Sequence, residues 1–155
     1  MSEIIAVILM FGTFAPAPGT IQAPKPATQR ISACAVMPRQ LVEKYEPNKQ
    51  LFKYLKPEEE PIGTIGSYCD YGTLGLQVNP FGVTKPSSPG KEWLPVAGVG
   101  DGAYFRDNQG RWAEMIVWSG RHHFTLQYSI HAGKSADAMK PLLSEFAAAI
   151  IPKLQ

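Results

Sequence analysis

Cysteine and histidine, the residue types in this chain best suited to bond formation or metal binding, are both scarce. The 155 residues include two cysteines, Cys34 and Cys69, and three histidines, His122, His123 and His131. The cysteines lie 35 positions apart, so they form neither a CxxC motif nor a zinc-binding spacing. Two cysteines in a small, turn-rich chain with an apolar N-terminal segment favour one disulfide. Two unpaired buried thiols in a cytosolic protein are the alternative.

The histidines are poorly placed for binding a metal ion. His122 and His123 are adjacent on a predicted strand, where successive side chains point to opposite faces. His123 and His131 share a face, but they lie about 26 Å apart along an extended chain. We therefore predict no metal site, and we expect His122 to be a core histidine whose hydrogen bonds are satisfied.

Catalytic motifs are missing from the sequence. It has no GxSxG elbow, HExxH pair, Walker-type phosphate loop or EF-hand pattern. The segment GVGDG at 98–102 looks like a nucleotide loop only superficially, because the third glycine is missing at the required spacing and a strand follows. The net charge of +2 is too small for an electrostatic nucleic-acid binder. We predict no catalytic residues, no cofactor and no nucleic-acid binding.

Residues 1–15 form an apolar N-terminal segment. Its apolar core of about 12 residues has the length of a signal-peptide hydrophobic region, whereas a spanning helix needs about 20. Neither Lys nor Arg precedes that core, and Pro18 follows the best small-residue cleavage site at 15–17. We expect an uncleaved membrane anchor, with a cleaved signal peptide or a buried core helix as alternatives. The anchor residues are Ile4, Ile5, Val7, Ile8, Leu9, Phe11 and Phe14.

Residues 16–30 follow as a proline-rich linker, and residues 31–155 as one globular domain. Apolar residues make up 45% of the chain, which excludes disorder throughout. The linker composition is typical of a semi-rigid, extended tether. The topology signals conflict, because Lys25, Arg30 and Arg39 after the apolar run favour a cytoplasmic domain, whereas the cysteine pair favours export. We expect the domain on the periplasmic side of the membrane.

Strand and helix patterns predict an α+β domain. We expect an antiparallel sheet of about five strands, with a short N-terminal helix and a long C-terminal helix packed on one face. The stretch at 57–61 is interpreted as an acidic surface loop, and the stretch at 80–95 as mostly loop. The predicted strands are 67–71, 74–79, 103–106, 111–118 and 121–130, and the predicted helices are 37–45 and 136–154.

The last two predicted strands form a hairpin whose outer face is unusual. A two-residue loop at 119–120 places Trp118 opposite Arg121, and that register continues along both strands. One face is then apolar and covered by the C-terminal helix, while the other has the composition of an interface core. The alternative is that the N-terminal helix or the 80–95 loop, with Trp93, covers the second face. The candidate interaction face comprises Trp112, Ile116, Trp118, Arg121 and His123.

Several short segments resemble a known group of proteins. They are Cys34 before a short helix, SYCDY at 67–71, GVGDGAYF at 98–105 and FTLQ at 124–127. Together they resemble uncharacterised exported bacterial proteins and, more distantly, a domain of unknown function in actinobacterial lipoproteins. The resemblance covers Ile31–Leu154, about four-fifths of the chain. It implies an exported α+β domain and implies no particular activity.

These features predict a non-catalytic, membrane-tethered protein of the periplasm. We expect an accessory or structural subunit docked on the outer face of a membrane protein complex, for which a respiratory or photosynthetic assembly is one example. Docking on such a partner would cover the apolar outer face and stabilise a short anchor in the bilayer. The alternative is a free periplasmic domain with a cleaved signal peptide, which binds a small ligand in a pocket near Trp93.

Overall fold

The computed structural model describes residues 30–46, 49–53, 55–79, 90–130 and 134–155. The predicted anchor at 1–15 lies outside these residues, and so does the linker apart from Arg30. His131 and positions 80–89 of the predicted loop lie outside them as well. The expectations for these segments stay predictions.

The described strands form one antiparallel sheet of seven strands. In chain order they are β1 Glu58–Ile62, β2 Gly66–Asp70, β3 Leu74–Val78, β4 Leu94–Val96, β5 Gly102–Asn108, β6 Trp112–Ser119 and β7 His122–Ser129. Their spatial order is β1-β2-β3-β7-β6-β5-β4. The pairing of β3 with β7 therefore joins the two halves of the sheet at its centre.

The prediction of about five strands is wrong, because both edge strands were missed. β1 has the sequence EEEPI, a composition that predicts a solvated loop. Charged side chains and proline are tolerated there because an edge strand leaves one row of backbone groups facing water. β4 has only three residues, and Pro95 stands at its centre. So short a strand shows no alternation that a sequence pattern can detect.

The predicted long C-terminal helix is also wrong, because the described helices are all short and the described chain is mostly β. They are α1 Ala33–Val36, α2 Arg39–Tyr45, α3 Lys49–Phe52 and α4 Lys140–Ile150. The 11 residues of α4 are flanked by 3-10 turns at Asp137–Met139 and Ile151–Lys153. Pro141 lacks the N–H that an α-helix beginning at residue 136 would use, and Pro152 lacks one near the other end. The coarser prediction, that the domain combines helices with an antiparallel sheet in an α+β composition, is confirmed.

The β6–β7 hairpin turns one residue later along β6 than predicted. Its loop is Gly120-Arg121, so Trp118 lies opposite His123 rather than opposite Arg121. Gly120 has φ +57°, a conformation that glycine adopts readily and that tight hairpin turns require. The pairing shifts by two positions, an even number, so every strand side chain stays on its predicted face.

The two faces of the sheet differ in what packs against them. The face that carries Leu76, Met115 and Leu126, called the core face, packs against the buried apolar side chains of the helices. Leu143 and Phe146 of α4 are completely buried in this layer. The opposite face, called the outer face, carries Tyr104, Glu114, Ile116, Trp118, His123 and Thr125.

Candidate functional site

Cys34 and Cys69 form a disulfide, as predicted. The bond joins α1 to β2, and the two Cα atoms are 5.0 Å apart. Cys69 is fully buried on the core face, and Cys34 is half-buried. The loop that the bond closes contains α2, α3 and β1, so the cross-link fastens the helical layer to the sheet. A disulfide is compatible with an exported or otherwise oxidising compartment.

Ser67 of β2 fixes the start of α1 on the sheet. Its buried Oγ accepts a hydrogen bond from the Ala33 N–H at 2.9 Å and donates one to the Ile31 carbonyl at 2.5 Å. The first N–H groups of a helix have no partner within the helix, so Ser67 satisfies a buried donor. The Arg30 guanidinium donates to the Gly63 carbonyl at 2.8 Å. The described chain therefore begins beside the β1–β2 turn.

The five residues of the predicted interaction face differ widely in exposure. Trp112 is 37% exposed at the start of β6, and Arg121 is exposed in the hairpin turn at the other end of that strand. Trp118 and His123 are only 4% and 2% exposed, and their rings stack with centroids 6.3 Å apart. Ile116 is half-buried. The two exposed members thus lie at opposite ends of the hairpin, and docking through this face stays a prediction.

Glu114 is a buried carboxylate on the outer face whose role is not visible in the sequence. It is 3% exposed and forms a salt bridge with Arg106 of β5. Asn108 Nδ2 and Gln127 Nε2 donate to its Oε1 at 3.1 and 3.0 Å. The Arg106 guanidinium also lies over the Trp93 ring, 4.4 Å from its centroid. Because three side chains donate to one carboxylate, this cluster is a satisfied network that holds β5, β6 and β7 in register.

His122 and His123 point to opposite faces of β7, and Asn79 contacts both residues. The Asn79 Nδ2 lies 3.0 Å from His122 Nδ1, and its Oδ1 accepts the backbone N–H of His123 at 3.2 Å. Burial lowers the pKa of both imidazoles, and the positive charge of Arg121 lowers the pKa of His122 further. Both rings are therefore neutral at pH 7. Within the described ranges, no three His, Cys, Asp or Glu side chains are grouped to hold a metal ion.

A groove of about 930 Å³ lies between α2 and α4, in a part of the sequence where no site was predicted. It is open to solvent, since Gln40 on one wall and Ala148 on the other are exposed. Met37 is buried at its base, while Leu41 and Ala149 are half-buried. The groove therefore offers accessible apolar surface.

The rim of this groove is basic. Arg39, Lys44 and Lys153 line it together with one carboxylate, Glu145, which leaves a net of two positive charges. Tyr45 donates a hydrogen bond to one oxygen of Glu145, and Lys44 Nζ lies 2.9 Å from the other. A hydrogen bond with Tyr45 and the contact with Glu145 raise the pKa of Lys44. The hydrogen bonds from Tyr45 and Lys44 lower the pKa of Glu145. Both groups are therefore charged at neutral pH, and they connect the two walls.

Comparison with known proteins adds no relative to this geometry. No family model, no curated protein and no solved structure matches the chain. The resemblance to exported bacterial proteins therefore stays a prediction. In the part of the chain that the structure describes, no helix is both long enough and apolar enough to cross a membrane.

Proposed function

We propose that this protein is an exported, non-catalytic interaction domain, held at the membrane through residues 1–15 and acting as an accessory subunit of a membrane complex. The groove between α2 and α4 is the observation that carries the proposal. A small ligand needs a site that encloses roughly 70–90% of its surface. An open groove with apolar walls and a basic rim suits a segment of a partner protein better.

The polar clusters support binding rather than catalysis. A catalytic acid or base has to reach a substrate atom, whereas Glu114 is buried beneath three side-chain donors. His122 is buried too, and its Nδ1 lies against the Asn79 amide. The hydrogen bonds of Glu114 and His122 therefore stabilise the fold, and neither side chain is placed to reach a substrate. The disulfide supports export, because such bonds persist in oxidising compartments.

The alternative, a free periplasmic domain that binds a small ligand near Trp93, has less support. The Trp93 ring is half-buried and lies against the Arg106 guanidinium. A neighbouring cleft of about 400 Å³ is lined by Lys91, Glu92 and Leu94 but not by Trp93. That cleft mixes charges of both signs with an exposed leucine, so its lining selects no class of small ligand.

Gentle detergent extraction of native material, followed by native mass measurement, tests the proposal. We expect the protein to be recovered together with partner subunits. Ala148→Arg, which fills the groove, is expected to release it from them. Ala138→Arg is the matched control, because Ala138 is also an exposed alanine but does not line the groove. Recovery of the wild-type chain as a lone soluble species of 17.0 kDa contradicts the proposal.

A further inference from the structure

We infer that the groove between α2 and α4 binds an acidic amphipathic helix of the partner protein. This inference rests on the proposed function and specifies the segment of the partner that docks. Three observations support it: the charge of the rim, the shape of the walls, and the chemistry of the two sheet edges.

The charge of the rim selects an acidic segment. Arg39 and Lys153 lie on opposite walls, and neither forms an ion pair within the described residues. The Arg39 guanidinium lies 5.1 Å from the centroid of the Phe52 ring, and Lys153 Nζ donates to the Val36 carbonyl at 3.2 Å. Both side chains are exposed, so a carboxylate of a bound segment can approach them without burying an unpaired charge. Such complementary charges select a partner and its orientation.

The shape of the walls suits a helix. The groove runs along the end of α4 and the turn after it, from Glu145 to Lys153, and along the seven residues of α2 on the other side. At about 1.5 Å per residue these walls are roughly 10–12 Å long, which matches about two turns of a second helix laid between them. Ala148 and Ala149 are small, so a helix backbone can approach this wall closely. Leu41 and Pro38, which are half-buried, provide apolar surface for the side chains that an amphipathic helix presents three and four positions apart.

The sheet edges argue against an extended segment that adds a strand. β1 carries three consecutive glutamates and a proline, and β4 has three residues with a proline at its centre. Charges and prolines on edge strands oppose pairing with another chain. A helix in the groove is therefore favoured over a strand at either edge.

A peptide panel tests the inference. We propose three peptides of about 15 residues, with identical apolar positions and with an acidic, neutral or basic polar face. Fluorescence anisotropy would measure their binding to the full chain in mild detergent. The net charge of the protein also attracts or repels each peptide at long range, independently of the groove. The comparison is therefore repeated at high salt, which screens this long-range interaction. We expect the acidic peptide to bind at least about tenfold more tightly than the basic one.

Charge reversal of the rim provides the second readout. The double variant Arg39→Glu/Lys153→Glu is expected to bind the acidic peptide at least about tenfold more weakly than the wild type does. It should also bind the basic peptide more tightly than the acidic one. Lys91→Glu/Lys134→Glu is the matched control, since it makes the same change in net charge at two exposed lysines outside the groove. Ala148→Arg should abolish binding of the acidic peptide although it adds a positive charge, because it fills the groove.

Three results would overturn the inference. The first is the same affinity for all three peptides, or no binding tighter than about 1 mM. The second is an equal loss of binding in the control double variant. The third is groove-dependent binding to vesicles of phosphatidylglycerol and phosphatidylcholine without peptide binding, which would make the groove a lipid site. If native extraction still recovers the protein with partner subunits, the proposed function survives each of these results.

Discussion

Loss of the Cys34–Cys69 disulfide is expected to lower the free energy of unfolding by about 4 kcal/mol. The bond closes a loop of 35 residues, and the loop-entropy relation gives this value at about 25 °C. We expect the reduced protein to keep the native fold, because the hydrogen bond from the Ala33 N–H to Ser67 does not involve either sulfur atom. The unfolded chain, by contrast, gains conformational freedom. Small domains have unfolding free energies of about 5–15 kcal/mol, so this loss is a large share of the total.

Urea unfolding followed by tryptophan fluorescence measures the effect in three samples. They are the oxidised wild type, the wild type with a reductant, and the double variant Cys34→Ala/Cys69→Ala. With a urea dependence of about 1–3 kcal/mol per molar, the midpoint should fall by roughly 1–4 M. The reduced wild type keeps both sulfur atoms, so its difference from the double variant isolates the packing of the buried Cys69.

A small shift in the reduced wild type would refute this reasoning. If its midpoint falls by less than about 0.3 M, the cross-link constrains the unfolded chain far less than a loop of this length requires. A large shift in the double variant alone would assign the effect to packing around Cys69 rather than to the cross-link.

Three further predictions concern stability. Ser67→Ala should cost about 1–3 kcal/mol in urea unfolding because it leaves a buried N–H of α1 without its acceptor, whereas Ser144→Ala on α4 should change little. The lowered pKa values of His122 and His123 mean that the unfolded chain binds protons more readily. The free energy of unfolding should therefore be highest above about pH 7 and should decrease as the pH falls below about 6.5. A free energy of unfolding that does not change with pH over this range would contradict the prediction. Gly100→Ala should lower the melting temperature, because φ is +56° and the new Cβ would lie 2.3 Å from a β6 carbonyl oxygen; an unchanged value would refute the argument.

Strands with a local pattern were predictable to within about one residue. The predictions at 74–79 and 121–130 correspond to β3 and β7, where apolar and polar side chains alternate. The assignment of side chains to faces also holds for the β6–β7 hairpin, although its turn is displaced by one residue. Face assignment depends on a period of two, and the displacement changes the pairing by an even number of positions.

The edge strands and the burial on the outer face were not predictable in this way. β1 is held by the backbone of β2, so its glutamates need no strand-like pattern. The outer face looks solvent-exposed in the sequence, yet Trp118 and His123 are buried on it. Glu114 looks like a surface carboxylate until the register places Arg106 and Gln127 on either side of it. The burial of a strand residue depends on what packs over the strand, and the local alternation of apolar and polar residues does not indicate this.

By itself, the sequence favoured the pairing of its only two cysteines, which rests on a count, and determined the two faces of its central hairpin, which rest on a short-range period. Only the tertiary structure decided where an interaction surface can form. The Lys44–Glu145 contact that connects the groove walls joins residues 101 positions apart. No local pattern records such a separation, since the fold brings α2 and α4 together by burying their apolar sides in a common core.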